Sequence, residues 1–247
     1  MLTPIGDLEI HSFVSTNVKN SNFETNLPII LIHGLCISNR YMIPAMTELA
    51  KYARIYAPSL PGSGESKKPP RALNVEELSN VLAEWMKTIG IKRAVFVGHS
   101  FGTQVITDFS LRYPEMVERA VLAAPTLNRR ERTFLRQLLR FLQDAFYEPF
   151  TLMYIAIFDY LNFGFLRAIK TIRYAFENKI EDNLPRVKVP TLVIRGEYDT
   201  VVPQNWAEEV TNLLPDGKLV TIARETHGFN YNSPEQFAEA IRRFLDY

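Results

Sequence analysis

Ala94-Val-Phe-Val-Gly98-His99-Ser100-Phe101-Gly102-Thr103-Gln104-Val-Ile106 is the stretch on which the fold turns. Its β-branched and aromatic run breaks at Gly98, and apolar positions at helical spacing begin just past Ser100. A buried strand is therefore expected to turn sharply into a helix at the serine. The spacing G-x-S-x-G in that setting is the pattern that presents a serine as a nucleophile. Its glycines have a steric reason: a strained turn leaves no room for side chains two residues to either side of the serine.

Outward from this turn the chain reads as repeated strands and helices. Leu27-Pro-Ile-Ile-Leu-Ile32 is apolar throughout, as a strand covered on both faces must be. It ends at His33-Gly34-Leu35-Cys36, a sharp turn before a helix expected from about Ser38 to Tyr52. Ahead of it, residues 8–14 are expected to form an edge strand and Ser15 to Asn26 a polar loop. Further strands are expected over 53–57, 119–124, 190–195 and 218–222. Asn74 and Glu77 have capping-box spacing at the start of a helix that Gly90 closes. Ser233, Pro234 and Gln236 carry the same signal for the last helix. Such alternation implies an α/β fold with a mostly parallel central sheet flanked by helices.

One segment breaks the alternation. Residues 127–184 hold 12 aromatic side chains, against 29 (2 Trp, 11 Tyr, 16 Phe) in the whole chain, and no short apolar strand bounded by turns. This segment is expected to be a helical cap inserted into a core made of residues 1–126 and 185–247. Its first helix puts Phe134, Leu135, Leu138, Leu139, Leu142 and Phe146 on one face, with Arg132, Arg136, Arg140 and Gln143 opposite.

Composition narrows the function classes. The 28 basic and 27 acidic residues give a net charge of +1, which makes no electrostatic case for nucleic acid or an anionic membrane. A single cysteine excludes an intrachain disulfide and a cysteine-rich metal site. The first residues, Met1-Leu-Thr-Pro, do not read as a signal peptide. The longest dense apolar stretch, Thr151 to Phe158, falls far short of the ~20 residues a membrane-crossing helix needs. The expectation is a cytoplasmic monomer or homodimer with no membrane span.

Parallel sheets place their chemistry at the carboxyl ends of the strands. Ser100, Asp199, His227 and the turn at Gly34-Leu35 each directly follow an apolar strand, so the fold would gather them at one edge. A serine hydroxyl needs a neutral imidazole to take its proton, and the imidazole needs a carboxylate to fix its tautomer. Asp199 is the favoured carboxylate because the strand ending at Ala124 offers none. His33 and His99 are expected to be structural groups hydrogen-bonded beside the site, and Cys36 a buried small apolar residue. Arg40, Arg129 and Arg130 are expected at the solvated surface, the alternative being a grip on an anionic substrate group.

His33-Gly34, Pro61-Gly62-Ser63-Gly64-Glu65-Ser66, Gly98-His99-Ser100-Phe101-Gly102, Gly196-Glu197-Tyr198-Asp199 and His227 together resemble the α/β-hydrolase superfamily over nearly the whole chain. The resemblance implies Ser100 as nucleophile, His227 as general acid and base, Asp199 as its orienting acid, and the backbone amides of Leu35 and Phe101 as an oxyanion hole. It implies no metal or organic cofactor. Ser59 and Thr103 depart from the pattern, where many relatives carry aspartate and glycine; a local turn effect and slightly altered packing behind the serine are expected.

The implied reaction is hydrolysis of a hydrophobic acyl or aryl ester through an acyl-enzyme, with activity falling as pH drops through the ordinary imidazole range near ~6.5. The same residues also resemble carbon–carbon bond hydrolases of the dienoate-ketone type, thioesterases and hydroxynitrile lyases. A slow-turnover ligand receptor on the same scaffold is the alternative from a different class. Epoxide hydrolases and haloalkane dehalogenases are disfavoured, since their pattern has aspartate in place of Ser100.

Overall fold

A computed structural model describes residues 1–15 and 27–247. From residue 16 onward, the polar loop read from Ser15 to Asn26 lies outside the described residues. Eight strands form one sheet: β1 (Leu2–Ile5), β2 (Leu8–Val14), β3 (Ile29–Ile32), β4 (Ile55–Pro58), β5 (Ala94–His99), β6 (Val117–Ala123), β7 (Thr191–Gly196) and β8 (Gly217–Ile222). Their spatial order is β1-β2-β4-β3-β5-β6-β7-β8. Strands β3 to β8 run parallel, while β1 and β2 join antiparallel.

Covering helices lie between the strands, α1 (Ile43–Leu49), α2 (Val75–Thr88), α3 (Gly102–Arg112) and α8 (Gln204–Leu213), and after the last strand, α9 (Phe229–Asn232) and α10 (Pro234–Leu245). Between β6 and β7 come α4 (Phe134–Ala145), α5 (Phe150–Phe163), α6 (Phe165–Glu177) and the single turn α7 (Ile180–Asn183). Every residue of β3, β5 and β7 is buried, which accounts for their unbroken apolar runs.

Three local expectations are corrected. Strand β2 is interior, because Leu2–Ile5 folds back on it through a two-residue turn opened by Gly6 at φ +56. The edge falls to β1, where Pro4 is tolerated. The helix expected from Ser38 begins as a 3-10 turn, Asn39–Met42, and becomes α-helical only at Ile43, where Pro44 occupies the first turn. Asn74 and Glu77 form their reciprocal capping box at 2.9 Å in each direction. Ser233 does not cap α10, because its hydroxyl donates to the Glu225 carboxylate instead.

The first helix of segment 127–184 forms where expected, with its apolar face turned outward. On α4 the buried side chains are Gln137 and Asp144, while Phe134, Leu135, Leu139, Leu142 and Phe146 are each more than half exposed.

Candidate active site

Ser100 follows β5 at φ +55, a left-handed conformation that a residue with a side chain adopts only when its surroundings impose it. The surroundings are tight. A Cβ at Gly98 would fall 2.5 Å from the Gly102 carbonyl oxygen, and one at Gly102 only 2.3 Å from that of Ile32. The Thr103 hydroxyl donates to the Ser100 carbonyl at 2.6 Å, so this departure from the usual glycine adds a bond that holds the turn. A Cβ at Gly34 would lie 3.4 Å from that of Ser100, which places the turn after β3 directly against the serine. The Leu35 and Phe101 amides donate to no acceptor among the described residues, and both residues line the same cavity as Ser100.

His227, after β8, donates from Nδ1 to Asp199 Oδ2 at 2.9 Å. The other oxygen, Oδ1, accepts the N–H groups of Val201 and Val202, both at 2.8 Å, so the carboxylate is held at both ends. A carboxylate only accepts, so in the neutral ring the proton sits on Nδ1 and Nε2 carries the lone pair. That Nε2 is buried and has no hydrogen-bond partner among the described residues.

His33 and His99 are locked as neutral groups. His99 Nε2 donates to the His227 carbonyl at 2.9 Å, its Nδ1 accepts from the Tyr41 hydroxyl at 2.9 Å, and Tyr41 in turn accepts the Gly34 N–H at 2.7 Å. One side chain thus ties the turns after β3, β5 and β8 together. His33 donates from Nδ1 to the Gly34 carbonyl and accepts the Leu60 N–H at Nε2. Protonation would destroy an accepted bond in each ring. Burial likewise pushes His33 down to about 4 and His99 to about 3.

A cavity of about 450 Å³ opens over these groups. Ser100, His227, Leu35 and Phe101 share it with apolar walls from α4, α5 and α6, including Phe141, Leu152 and Phe176. Among the described residues no lysine or arginine lines it. Arg129 and Arg130 instead pair with Glu209, and Arg40 with Glu65 and Asp159. Cys36 is buried with its thiol pushed up to about 12, and it faces a separate small void. Ser59 is fully buried at its turn.

Residues 29–240 match the pattern of the alpha/beta hydrolase family. The chain belongs to that family. It is 30% identical to abhydrolase domain-containing protein abhd-5.2 of Caenorhabditis elegans over 49% of this chain, which spans only 29% of that protein. It is 24% identical to the putative carbamate hydrolase RutD of Yersinia enterocolitica, covering 92% of this chain and 90% of that protein. With carboxylesterase YbfK of Bacillus subtilis it shares 26% identity over 94% and 85% of the two chains. Among solved structures, a thermophilic esterase from Thermogutta terrifontis superposes with a TM-score of 0.79 at 21% identity, covering 99% and 96% of the chains.

This alpha/beta hydrolase also carries two carboxylates that sequence reasoning missed. Asp144, near the end of α4, accepts the His227 N–H at 3.2 Å. Glu148, just beyond, accepts the Gly228 N–H and the Thr226 hydroxyl at 2.8 Å each, and the Asn232 amide at 2.8 Å. Their trace in the sequence is faint: two acids four residues apart in a stretch otherwise basic and apolar. Burial, with the nearby Asp199 and Glu148 charges, raises Asp144 to about 7. Burial alone would lower His227, but the charge and hydrogen bond of Asp199, reinforced by Asp144 and Glu148, outweigh it and raise the imidazole to about 9.

Proposed function

We propose that this hydrolase cleaves uncharged carboxylic esters with an apolar acyl group, using Ser100 as nucleophile, His227 as general base and acid, and Asp199 as its orienting partner. The observation that carries the reading is the His227 ring, locked by Asp199 at Nδ1 while its unpartnered Nε2 shares one cavity with Ser100.

In this mechanism Nε2 takes the Ser100 proton as Oγ bonds to the ester carbonyl carbon. The carbonyl oxygen becomes an oxyanion facing the Leu35 and Phe101 amides, where fixed donors stabilise charge without reorganising. The intermediate expels the alcohol, which leaves with the proton from His227. Water then gives a proton to Nε2 and attacks the acyl carbon, and the second intermediate collapses by breaking the bond to Ser100 Oγ, which takes the proton back from His227 as the acid leaves. The helical segment 127–184 serves as the cap that excludes water and shapes the acyl pocket.

The charge of the cavity favours esters over dienoate ketones. A substrate carboxylate there would meet Asp144 and Glu148 and, among the described residues, no lysine or arginine.

The test is a panel of nitrophenyl esters of increasing acyl length, with thioester, carbamate and dienoate members, assayed on wild type and Ser100→Ala. The reading expects multiple turnover of medium-length esters, no dienoate cleavage, and a loss of roughly four to six orders of magnitude in the variant. Undiminished turnover in Ser100→Ala would overturn it. A single burst with a trapped adduct would favour the receptor alternative.

A further inference from the structure

Among the described residues, all but four of the exposed large apolar side chains (the exceptions are Met1, Leu2, Ile43 and Tyr198) fall between Phe134 and Ile169. Phe146, Phe150, Tyr154, Leu161, Phe165 and Leu166 are between 73% and 94% exposed. Isolated exposed apolar residues are ordinary on soluble proteins, but a continuous set confined to one segment marks an interaction surface. We propose that this outer face of the cap docks on an anionic lipid surface.

Charge selects the occupant. Between residues 134 and 176 no carboxylate is exposed: Asp144 and Asp159 are buried, and Glu148 is bonded into the His227 loop. The exposed charges there are cationic. On α6, Lys170 lies one turn beyond Leu166, and Arg173, paired with Glu177, one turn beyond Ile169, so they share the exposed apolar face. Arg136 borders the outward face of α4. An apolar face studded with cations fits acyl chains beneath anionic headgroups. A second copy of this face would oppose Lys170 and Arg136 with one exposed carboxylate, Glu177, which is already paired with Arg173. The whole-chain charge of +1 conceals this asymmetry.

Helix length and connection fit a helix pair lying on a bilayer. Helices α5 and α6 have 14 and 13 residues, below the ~20 needed to cross, and meet at a 102° bend. Among the described residues no single helix is long and apolar enough to span. The face is also continuous with the cavity, because Phe134, Leu138 and Leu142 are both exposed and part of its lining. An ester dissolved in the lipid surface would pass to Ser100 along apolar walls. This last step rests on the proposed serine-hydrolase reading; the docking itself does not.

The test is co-sedimentation of the intact chain with vesicles of phosphatidylcholine, alone or mixed with phosphatidylglycerol. Wild type and Ser100→Ala should both partition onto the mixed vesicles, and more weakly onto phosphatidylcholine alone. Phe150→Asp/Leu166→Asp should reduce partitioning about tenfold or more, and Lys170→Glu should reduce it on the mixed vesicles only. Neither Phe150 nor Leu166 lines the cavity, so hydrolysis of a water-soluble acetate ester should be unchanged, which also reports an intact fold. Wild type remaining in solution with both vesicle types would overturn the proposal, as would a dimer that buries this face and binds no vesicles, or double-variant binding equal to wild type. Vesicle binding without ester turnover would refute the enzymatic reading alone, and turnover without binding the docking alone.

Discussion

Glu148 accepts the backbone N–H of Gly228 at 2.8 Å, so the link between two cap helices grips the residue next to His227. The same carboxylate also holds Thr226 and Asn232. The position of the α4–α5 link and that of the imidazole are therefore one mechanical unit. Glu148→Ala leaves these donors unmatched, and hydrogen bonds to a charged group contribute about 1.5–3 kcal/mol each. A fall of roughly 10- to 100-fold in kcat and a Tm lower by several degrees are expected, with Glu148→Gln in between. Steady-state kinetics alongside thermal melts checks this, and an unchanged kcat would contradict it.

Asp199→Asn should act through the ring proton. The N–H groups of Val201 and Val202 fix an oxygen at the Oδ1 position, so the new amide must turn its NH₂ toward His227 Nδ1. Nδ1 then accepts, Nε2 carries the proton, and the ring no longer takes one from Ser100. The loss in kcat should approach ~10⁴-fold with the melting curve nearly preserved. Activity within tenfold of wild type would remove Asp199 from its assigned role.

In the proposed mechanism, proton affinity at His227 sets the acid limb of the rate profile. A base works when neutral, so raising its pKa to about 9 moves the fall in kcat/KM above the ordinary imidazole range expected from sequence. The Asp144 carboxylate helps to raise that value. Asp144→Asn removes a negative charge and should shift the limb toward lower pH. Profiles of both proteins between pH 5 and 10 provide the measurement; a limb at 6.5 in wild type would contradict the electrostatic reading.

Acid should weaken the fold through His33 and His99. Their folded pKa values, about 4 and about 3, lie below the ordinary ~6.5, so the unfolded chain takes up protons that the folded one refuses. Their contribution is fully present above 6.5 and is lost as pH falls through the folded values. At pH 5 the loss is roughly 2 kcal/mol for each ring. Urea unfolding at pH 7 and pH 5 checks it, and His33→Gln should show a smaller difference between the two pH values.

The elbow was legible in the sequence because its cause is local. Gly98 and Gly102 are needed by backbone contacts within a few residues and by the neighbouring strand, and the apolar run of β5 announces that strand. The positions of Ser100, Asp199 and His227 at one sheet edge followed from the same logic, since each trails a buried strand. Asp144 and Glu148 were not legible because they meet residues about eighty positions away, and no local pattern records where a cap helix comes to rest. Ser233 misled for a related reason: a capping signal assumes a hydroxyl with no better partner, and Glu225 supplies one. The outward apolar face of α4 had the correct periodicity, but periodicity identifies a face without saying what covers it.

The most direct test of the central claim is the mass of the intact protein, followed by peptide mapping, after reaction with an alkyl fluorophosphonate. One adduct per chain on Ser100 is predicted, absent in Ser100→Ala and strongly slowed in Asp199→Asn. Modification of a different residue, or a wild-type protein left unlabelled, would contradict the account.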